Sequence, residues 1–441
     1  MDEFNPKLDV NRLLDELDNV SPLQVRGRVT GLVGIVVKAA LPEAWVGELC
    51  YIQNPQHERP IRAEVVGFDR GQALLMPLGP LANIGMASEV LPTGHGLTVR
   101  VGPELLGRVL NGLGEPRDTN VRGELFTDAE YPVMAPPPDP LLRRRIERPM
   151  PVGIRAVDGI LTVGEGQRVG LFAAAGGGKS TFLGMVARNT AADVNVIALI
   201  GERGREVNDF IEESLGEDGM ARSVVVVATS DEPALVRLKA AYVAQAIADY
   251  FRDQGKSVML MMDSVTRFAR AQREVGLATG EPPARAGFTP SVFSELPKLL
   301  ERAGNSDKGS ITGFYTVLVE GDDMTEPVAD EVRSILDGHI ILTRRLAAGG
   351  HYPAIDIAAS ASRVFTAVTE DGHQAAASRL RELLSVYEEN RDAILYNIYK
   401  KGTDAKVDEA IDRIEPILSF LKQGTYEKIE FEACLEHLRG I

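Results

Sequence analysis

The sequence predicts an α/β protein in three parts: a small N-terminal β-barrel, a core built on a mostly parallel sheet, and a C-terminal helical domain. Three observations carry this. Between about residues 151 and 364, apolar runs rich in β-branched residues or methionine alternate with helical stretches, as buried parallel strands covered by helices on both faces do. From 25 to about 93 the runs are short and punctuated by glycine, the spacing of a closed barrel. Beyond 364 the apolar residues recur at helical spacing. At 441 residues the chain is too long for one core.

In chain order, Asn5 is a plausible cap with Pro6 at the first helical position, and Leu8, Val10, Leu13, Leu14 and Leu17 share one face. An amphipathic helix over residues 1–20 follows. It either docks on its own domain or serves as a handle for another protein. Residues 21–95 form the barrel, with strands expected at 25–31, 34–37, 49–52, 63–68 and 73–78. The proline-rich stretch 134–140 cannot form regular structure and is expected to wrap along a surface. The core spans 96–364, with strands at 169–172, 194–200, 224–228, 258–262, 314–319 and 339–342. In the helical domain, 365–441, Leu380, Leu383, Leu384 and Tyr387 make one stripe, and Val407, Ile411, Ile414 and Leu418 another.

Composition excludes several functions. With 44% hydrophobic and 25% charged residues the chain is ordinary for a folded protein, and its net charge of −15 argues against a broad nucleic-acid footprint. Arg143-Arg144-Arg145 is the longest basic run and reads as a solvated segment or a local anchor. Cys50 and Cys434 lie near opposite ends of the chain without metal-ligand spacing, and the six histidines form no ligand pair, so no protein-borne metal cage is expected. The N-terminus lacks a targeting pattern, and no stretch approaches the ~20 apolar residues of a membrane span. The expected location is the cytoplasm, with membrane association only through partners.

The chemistry begins at Ala173-Ala174-Ala175-Gly176-Gly177-Gly178-Lys179-Ser180, which follows an apolar run and opens a helical pattern at Thr181. A strand that stops at glycines and turns into a helix aims backbone N–H groups and the positive end of the helix dipole at one point, where a triphosphate fits. Ala173 stands where the usual phosphate-loop pattern has glycine, but three consecutive glycines still permit close approach. Lys179 would reach the outer phosphates and Ser180 would ligate Mg²⁺. Residues 257–263 are a strand ending in Asp263, the arrangement of a carboxylate that holds the hydration shell of the ion. A second strand delivers Glu202 and Arg203 at its carboxyl end, where open α/β sheets bind ligands. Glu202 can polarise a water for attack on the γ-phosphorus, and Arg203 can neutralise charge there. The competing reading pairs Glu202 and Glu206 with Arg203 and Arg205 in a surface network.

Four motifs complete the reading: Gly201-Glu202-Arg203-Gly204-Arg205-Glu206-Val207, Met262-Asp263-Ser264-Val265-Thr266-Arg267-Phe268-Ala269, Gly280-Glu281-Pro282-Pro283-Ala284-Arg285, and Pro353-Ala354-Ile355-Asp356-Ile357-Ala358-Ala359-Ser360-Ala361-Ser362-Arg363. In this order they resemble the ATPases of type III protein-export systems, flagellar and virulence-associated, which are similar to the catalytic subunit of rotary ATP synthases. The resemblance runs from about Gly27 to Leu421 and implies a phosphate-loop NTPase core that binds ATP and Mg²⁺.

By position, the resemblance implies phosphate contacts from residues 173–181, Mg²⁺ contacts from Ser180 and Asp263, a water-polarising Glu202, a γ-phosphate contact from Arg203, an adenine-packing Tyr352, and an arginine finger, Arg363, that reaches the nucleotide of a neighbouring subunit. It further implies a homomeric ring of six, a regulator or stator protein that grips the N-terminal helix, a coiled-coil stalk in the pore, export chaperones with their substrates, and attachment to the inner membrane through the export apparatus. Ala174, Ala175 and Gly177 in the loop, and Asn111 in place of the more common aspartate, depart from the family pattern outside the reacting set. A rotary-synthase catalytic subunit and a Rho-type RNA-translocating ring are the alternatives. The former fits less well with the short N-terminal helix and the tail. The latter needs aromatics among basic residues on the barrel, which offers only Trp45, Tyr51 and Phe68.

Overall fold

The computed structural model describes residues 25–57, 59–174, 176–319 and 324–441. The expected helix at 1–20 lies outside them. The chain divides into two compact units, one up to Gly96 and one from Leu97.

The first unit is a closed antiparallel barrel of six strands, in the order Gly27–Val33, Val36–Ala40, Gln72–Pro77, Ile61–Asp69, Glu48–Gln53 and Glu89–Gly96. Small and branched side chains fill its interior, among them Val29, Val37, Ala39, Cys50, Ile52, Ala63, Val65, Ala73, Leu75 and Val90. Closure leaves no free sheet edge. The closing strand, Glu89–Gly96, contains Pro92, Gly94 and Gly96 and has no β-branched run to announce it.

In the second unit a sheet runs, from one edge, through Ala361–Ser362, Gly338–Leu342, Arg168–Ala173, Ser310–Leu318, Ser257–Asp263, Val194–Glu202 and Ser223–Thr229 to Val109–Asn111. The pairings from Gly338–Leu342 to Val109–Asn111 are parallel, and the edge pair with Ala361–Ser362 is antiparallel. Parallel strands need crossovers. Helix Lys179–Asn189 supplies one and helix Ala234–Asp253 another. Side chains on both faces of the strands are buried, Leu171, Ile197, Met261 and Phe314 on one and Phe172, Val196, Leu260 and Tyr315 on the other, so the apolar runs show no alternation. The carboxyl ends Ala173, Glu202, Asp263 and Leu318 therefore lie along one edge of the sheet.

The C-terminal helices Asp371–Leu395, Ala405–Leu421 and Phe431–Arg439 belong to this second unit and pack on helix Arg155–Ile160. The first buries Ala377, Leu380 and Leu383. The second is capped by Asp404, whose carboxylate accepts from Lys406 N at 2.8 Å, and it buries Val407, Ala410, Ile414, Ile417, Phe420 and Leu421. Val407 and Ile414 of the expected stripe are buried, whereas Ile411 and Leu418 are only half-buried, so the inward face is rotated from that stripe, and it packs tightly at Phe420. Gly159 explains the tightness: a Cβ there would lie 2.8 Å from Cζ of Phe420.

The proline-rich stretch carries no regular structure, and two of the three arginines after it, Arg143 and Arg144, are anchors. Arg143 donates to the carbonyl of Ala303 at 2.8 Å and Arg144 to that of Ser306 at 2.8 Å.

Candidate active site

Strand Arg168–Ala173 ends at the loop, and helix Lys179–Asn189 begins after it. Gly176 and Gly178 have φ of 82° and 84°, a backbone region that side-chain-bearing residues avoid, so these two positions require glycine. Gly177 N donates to Ala174 O at 3.1 Å, closing the turn, and Phe182 N donates to Gly178 O at 3.0 Å, starting the helix. The first-turn N–H groups, from Lys179 to Thr181, have no acceptor within the helix. Ser180 and Thr181 are exposed on that turn. Ala173 and Ala174 are buried at the end of the strand, and Ala175 lies outside the described residues.

Lys179 draws two strand ends together. Its Nζ stands 2.5 Å from Oδ1 of Asp263 and 3.3 Å from Oε1 of Glu202. Both carboxylates are buried, Asp263 3% and Glu202 6% exposed. Glu202 is held on its other side by Arg267, whose Nη2 lies 3.1 Å from Oε2 and whose Nη1 donates to the carbonyl of Gly201. Gly201 makes room for this, since a Cβ there would lie 2.8 Å from Cδ of Arg267. Two cations and two carboxylates thus form one buried, charge-balanced cluster at the carboxyl edge of the sheet.

The cluster sets its own protonation. Burial works against the charge of Lys179, but Asp263 and Glu202 outweigh it and hold the ammonium above its ordinary pKa. Burial, with a hydrogen bond shared with Glu206, pushes Glu202 above the ordinary carboxylate range despite Lys179 and Arg267. The same hydrogen bond holds Glu206 below it. Of the two carboxylates, Glu202 is therefore the one that takes up a proton first as pH falls.

The remaining expected residues stand apart from this cluster. Arg203 has an 80% exposed side chain and lies 3.7 Å from Glu206, while Arg205 lies 3.5 Å from Asp209, so a surface network exists, and Glu202 meets it only through the hydrogen bond shared with Glu206. Tyr352 is 46% exposed, and its ring lies 3.7 Å from where a Cβ of Gly178 would stand, beside the end of the phosphate loop. Its carbonyl accepts from Gln423 N at 2.8 Å. Gln423 also accepts from Arg155 N at 2.8 Å and donates to the carbonyl of Gly153 at 2.8 Å, so one side chain ties the helical domain to the core. Arg363 is exposed next to the edge strand, and its guanidinium donates to the carbonyl of Arg333 at 3.2 Å.

Arg267 lies within the motif at 262–269, and sequence alone assigns it no role. It falls on the first turn of helix Val265–Ala278, capped by Ser264, four residues after Asp263, and its partner Glu202 comes from the neighbouring strand, a pairing local sequence does not contain. A cavity of about 600 Å³ between residues 345–358 and helices Asp371–Leu395 and Ala405–Leu421 includes no member of the cluster.

Glycines at the turn of a strand into a helix, a lysine at the first helical position and carboxylates on neighbouring strand ends define a nucleotide-binding α/β core. Residues 153–362 match the ATP synthase alpha/beta family nucleotide-binding domain, and residues 29–94 match the β-barrel domain of that family. Residues 369–440 match the T3SS EscN ATPase C-terminal domain. The chain is 56% identical to the type 3 secretion system ATPase of Xanthomonas euvesicatoria, across 94% of this chain and 93% of that protein. It is 50% identical to the flagellum-specific ATP synthase of Bacillus subtilis, across 97% and 98%. The solved structure of the assembled ATPase EscN from the enteropathogenic E. coli type III secretion system superposes with a TM-score of 0.88 at 48% identity, across 93% of this chain and 98% of that one. A second structure, of EscN with its central stalk EscO, gives 0.87 at 47%, across the same shares. The chain belongs to the type III secretion and flagellar export ATPases.

Proposed function

We propose that this ATPase hydrolyses Mg²⁺-bound ATP to drive type III protein export, working as a homomeric ring, with the loop at 173–181 as its phosphate cradle. The observation that carries the reading is the convergence of Lys179, Glu202 and Asp263 at one point on the carboxyl edge of the sheet. Asp263 and Ser180 offer hard oxygen donors, too few to cage a cation alone. They suit an ion that keeps water and phosphate ligands, as Mg²⁺ does, and Mg²⁺ when bound neutralises charge on the outer phosphates.

Within one subunit, first-turn N–H groups and Lys179 hold phosphate oxygens, and Tyr352 stacks on the base. Glu202, deprotonated, orients the attacking water and accepts its proton. Arg267 keeps that carboxylate in place. Arg203 and Arg363 are exposed, free of the cluster and available to a nucleotide from outside: Arg203 by a swing toward the γ-phosphate, Arg363 from the adjoining copy. A finger supplied in trans makes activity depend on assembly, a ring of six in this reading. The assembled form and stalk complex of EscN support a ring with a central stalk. Cycling would release chaperones from export substrates and unfold them, with a regulator on the N-terminal helix tethering the enzyme to the cytoplasmic face of the export apparatus. Among the described residues no helix is long and apolar enough to cross a membrane.

Lys179→Ala and Glu202→Ala test the assignment. Each should lower turnover by at least about a hundred-fold, with Glu202→Gln retaining nucleotide binding. Near-normal hydrolysis by either alanine variant refutes it.

A further inference from the structure

We infer that Thr316 is a positioning residue for Asp263, fixing the carboxylate in the orientation that Mg²⁺ binding needs; this rests on the reading of the site given above. Thr316 lies in strand Ser310–Leu318, between the strand that feeds the phosphate loop and the strand that ends in Asp263. Leu171 is its partner on one side, and on the other Met262 pairs with Tyr315. The hydroxyl therefore sits one step past the last paired residue, level with Asp263. The side chain has no solvent exposure.

Oγ1 of Thr316 is 2.8 Å from Oδ1 of Asp263 and 3.1 Å from the carbonyl oxygen of Met262. A hydroxyl has one hydrogen to give, and the shorter distance and charged acceptor place it on Asp263. Because the Met262 carbonyl is within reach, burial alone does not force the carboxylate contact. Lys179 Nζ approaches the same Oδ1 at 2.5 Å. Both donors converge on one oxygen, which leaves Oδ2 for the water shell of a cation.

The two donors differ in what they can do. Lys179 has a long, flexible side chain whose charge is wanted by phosphate. Thr316 is β-branched, stiff at χ1 and enclosed. When Lys179 turns to the nucleotide, Thr316 is the donor that stays, so the carboxylate keeps its rotamer through the exchange. In the sequence this threonine is hidden within an apolar run and reads as strand filler.

Thr316→Val removes the donor and keeps the shape, while Thr316→Ser keeps the donor. Binding of a fluorescent ATP analogue to the full chain would be measured in EDTA and across a Mg²⁺ titration, with thermal unfolding alongside. The valine variant should melt as the parent does, bind the analogue equally in EDTA, and need about ten-fold more Mg²⁺ for its half-maximal effect. The serine variant should return to the parent value. Thr316→Cys, similar in size and a weak donor, is read the same way should valine not fold. An unchanged Mg²⁺ midpoint in the valine variant overturns the inference. Equal loss of affinity with and without Mg²⁺ overturns it too, because the hydroxyl would then support the loop. Asp263→Asn separates the levels. If its Mg²⁺ midpoint matches the parent, the site reading itself falls, whereas a raised midpoint there with none in Thr316→Val removes only the role of Thr316.

Discussion

Arg267 grips Glu202 at two points, with Nη2 3.1 Å from the carboxylate and Nη1 on the carbonyl of Gly201, the residue just before it. Side chain and backbone of the glutamate are thus held by one guanidinium, and only a planar fork can do both. Arg267→Lys should therefore lower kcat nearly as much as Arg267→Ala, each by about ten- to a hundred-fold, while nucleotide affinity measured in EDTA changes little. Recovery of full kcat by the lysine variant, in steady-state assays at saturating ATP, would show that charge alone suffices.

The pH profile follows from the direction of the Glu202 shift. Only the deprotonated carboxylate can take a proton from water, and burial with the Glu206 hydrogen bond raises its pKa. The acid limb of kcat/KM should thus lie above the ~4.3 of a free glutamate, with activity present above that pKa and lost as pH falls through it. Glu206→Gln, which removes the charged acceptor for protonated Glu202, should move the limb to lower pH. Arg267→Ala, which removes a favourable charge, should move it higher. Identical limbs in all three proteins would mean that another group governs the profile.

The proposed completion of the site in trans predicts complementation. Lys179→Ala and Arg363→Ala subunits, each inactive alone, should regain a fraction of parent turnover when mixed and assembled. In such a ring an intact cradle on the Arg363→Ala subunit can meet an intact arginine on its neighbour. Assays of the mixture against both separate proteins decide this, and a strictly additive, inactive mixture counts against Arg363 reaching across.

Gly159 tests packing against propensity. Alanine in a helix is better than glycine by roughly 0.8–1.0 kcal/mol, which favours Gly159→Ala. Its Cβ would stand 2.8 Å from Phe420, however, and overpacking a dense site costs about 1–3 kcal/mol. The collision should win, lowering the thermal midpoint, and Phe420→Leu in the same chain should recover part of the loss. A stabilised single variant would show that the helical domain gives way easily.

The cradle, Asp263 and Glu202 were legible because each is a polar or glycine position directly after an apolar run. A strand with both faces buried announces its own carboxyl end, and that end is where ligands sit. Arg267 and Thr316 were not, because their roles arise from which strands become neighbours. The order of strands, with Ser310–Leu318 inserted beside Arg168–Ala173, is a long-range property that local periodicity does not contain. The barrel-closing strand escaped for a different reason, since proline and glycine there weaken the β signal without preventing closure. Arg203 reads as a site residue by adjacency to Glu202, and its side chain extends into solvent outside the cluster, so its proposed phosphate contact depends on a bound nucleotide.

Gln423 carries more than its size implies. Its backbone amide is bonded to Tyr352 and its side chain to Gly153 and Arg155, so the aromatic ring beside the cradle and the last three helices share a single hinge pin. Any tilt of those helices must either drag Tyr352 with it or break this amide's bonds. A push applied far out on the helical layer would then arrive as a displacement of the ring proposed to stack on the base.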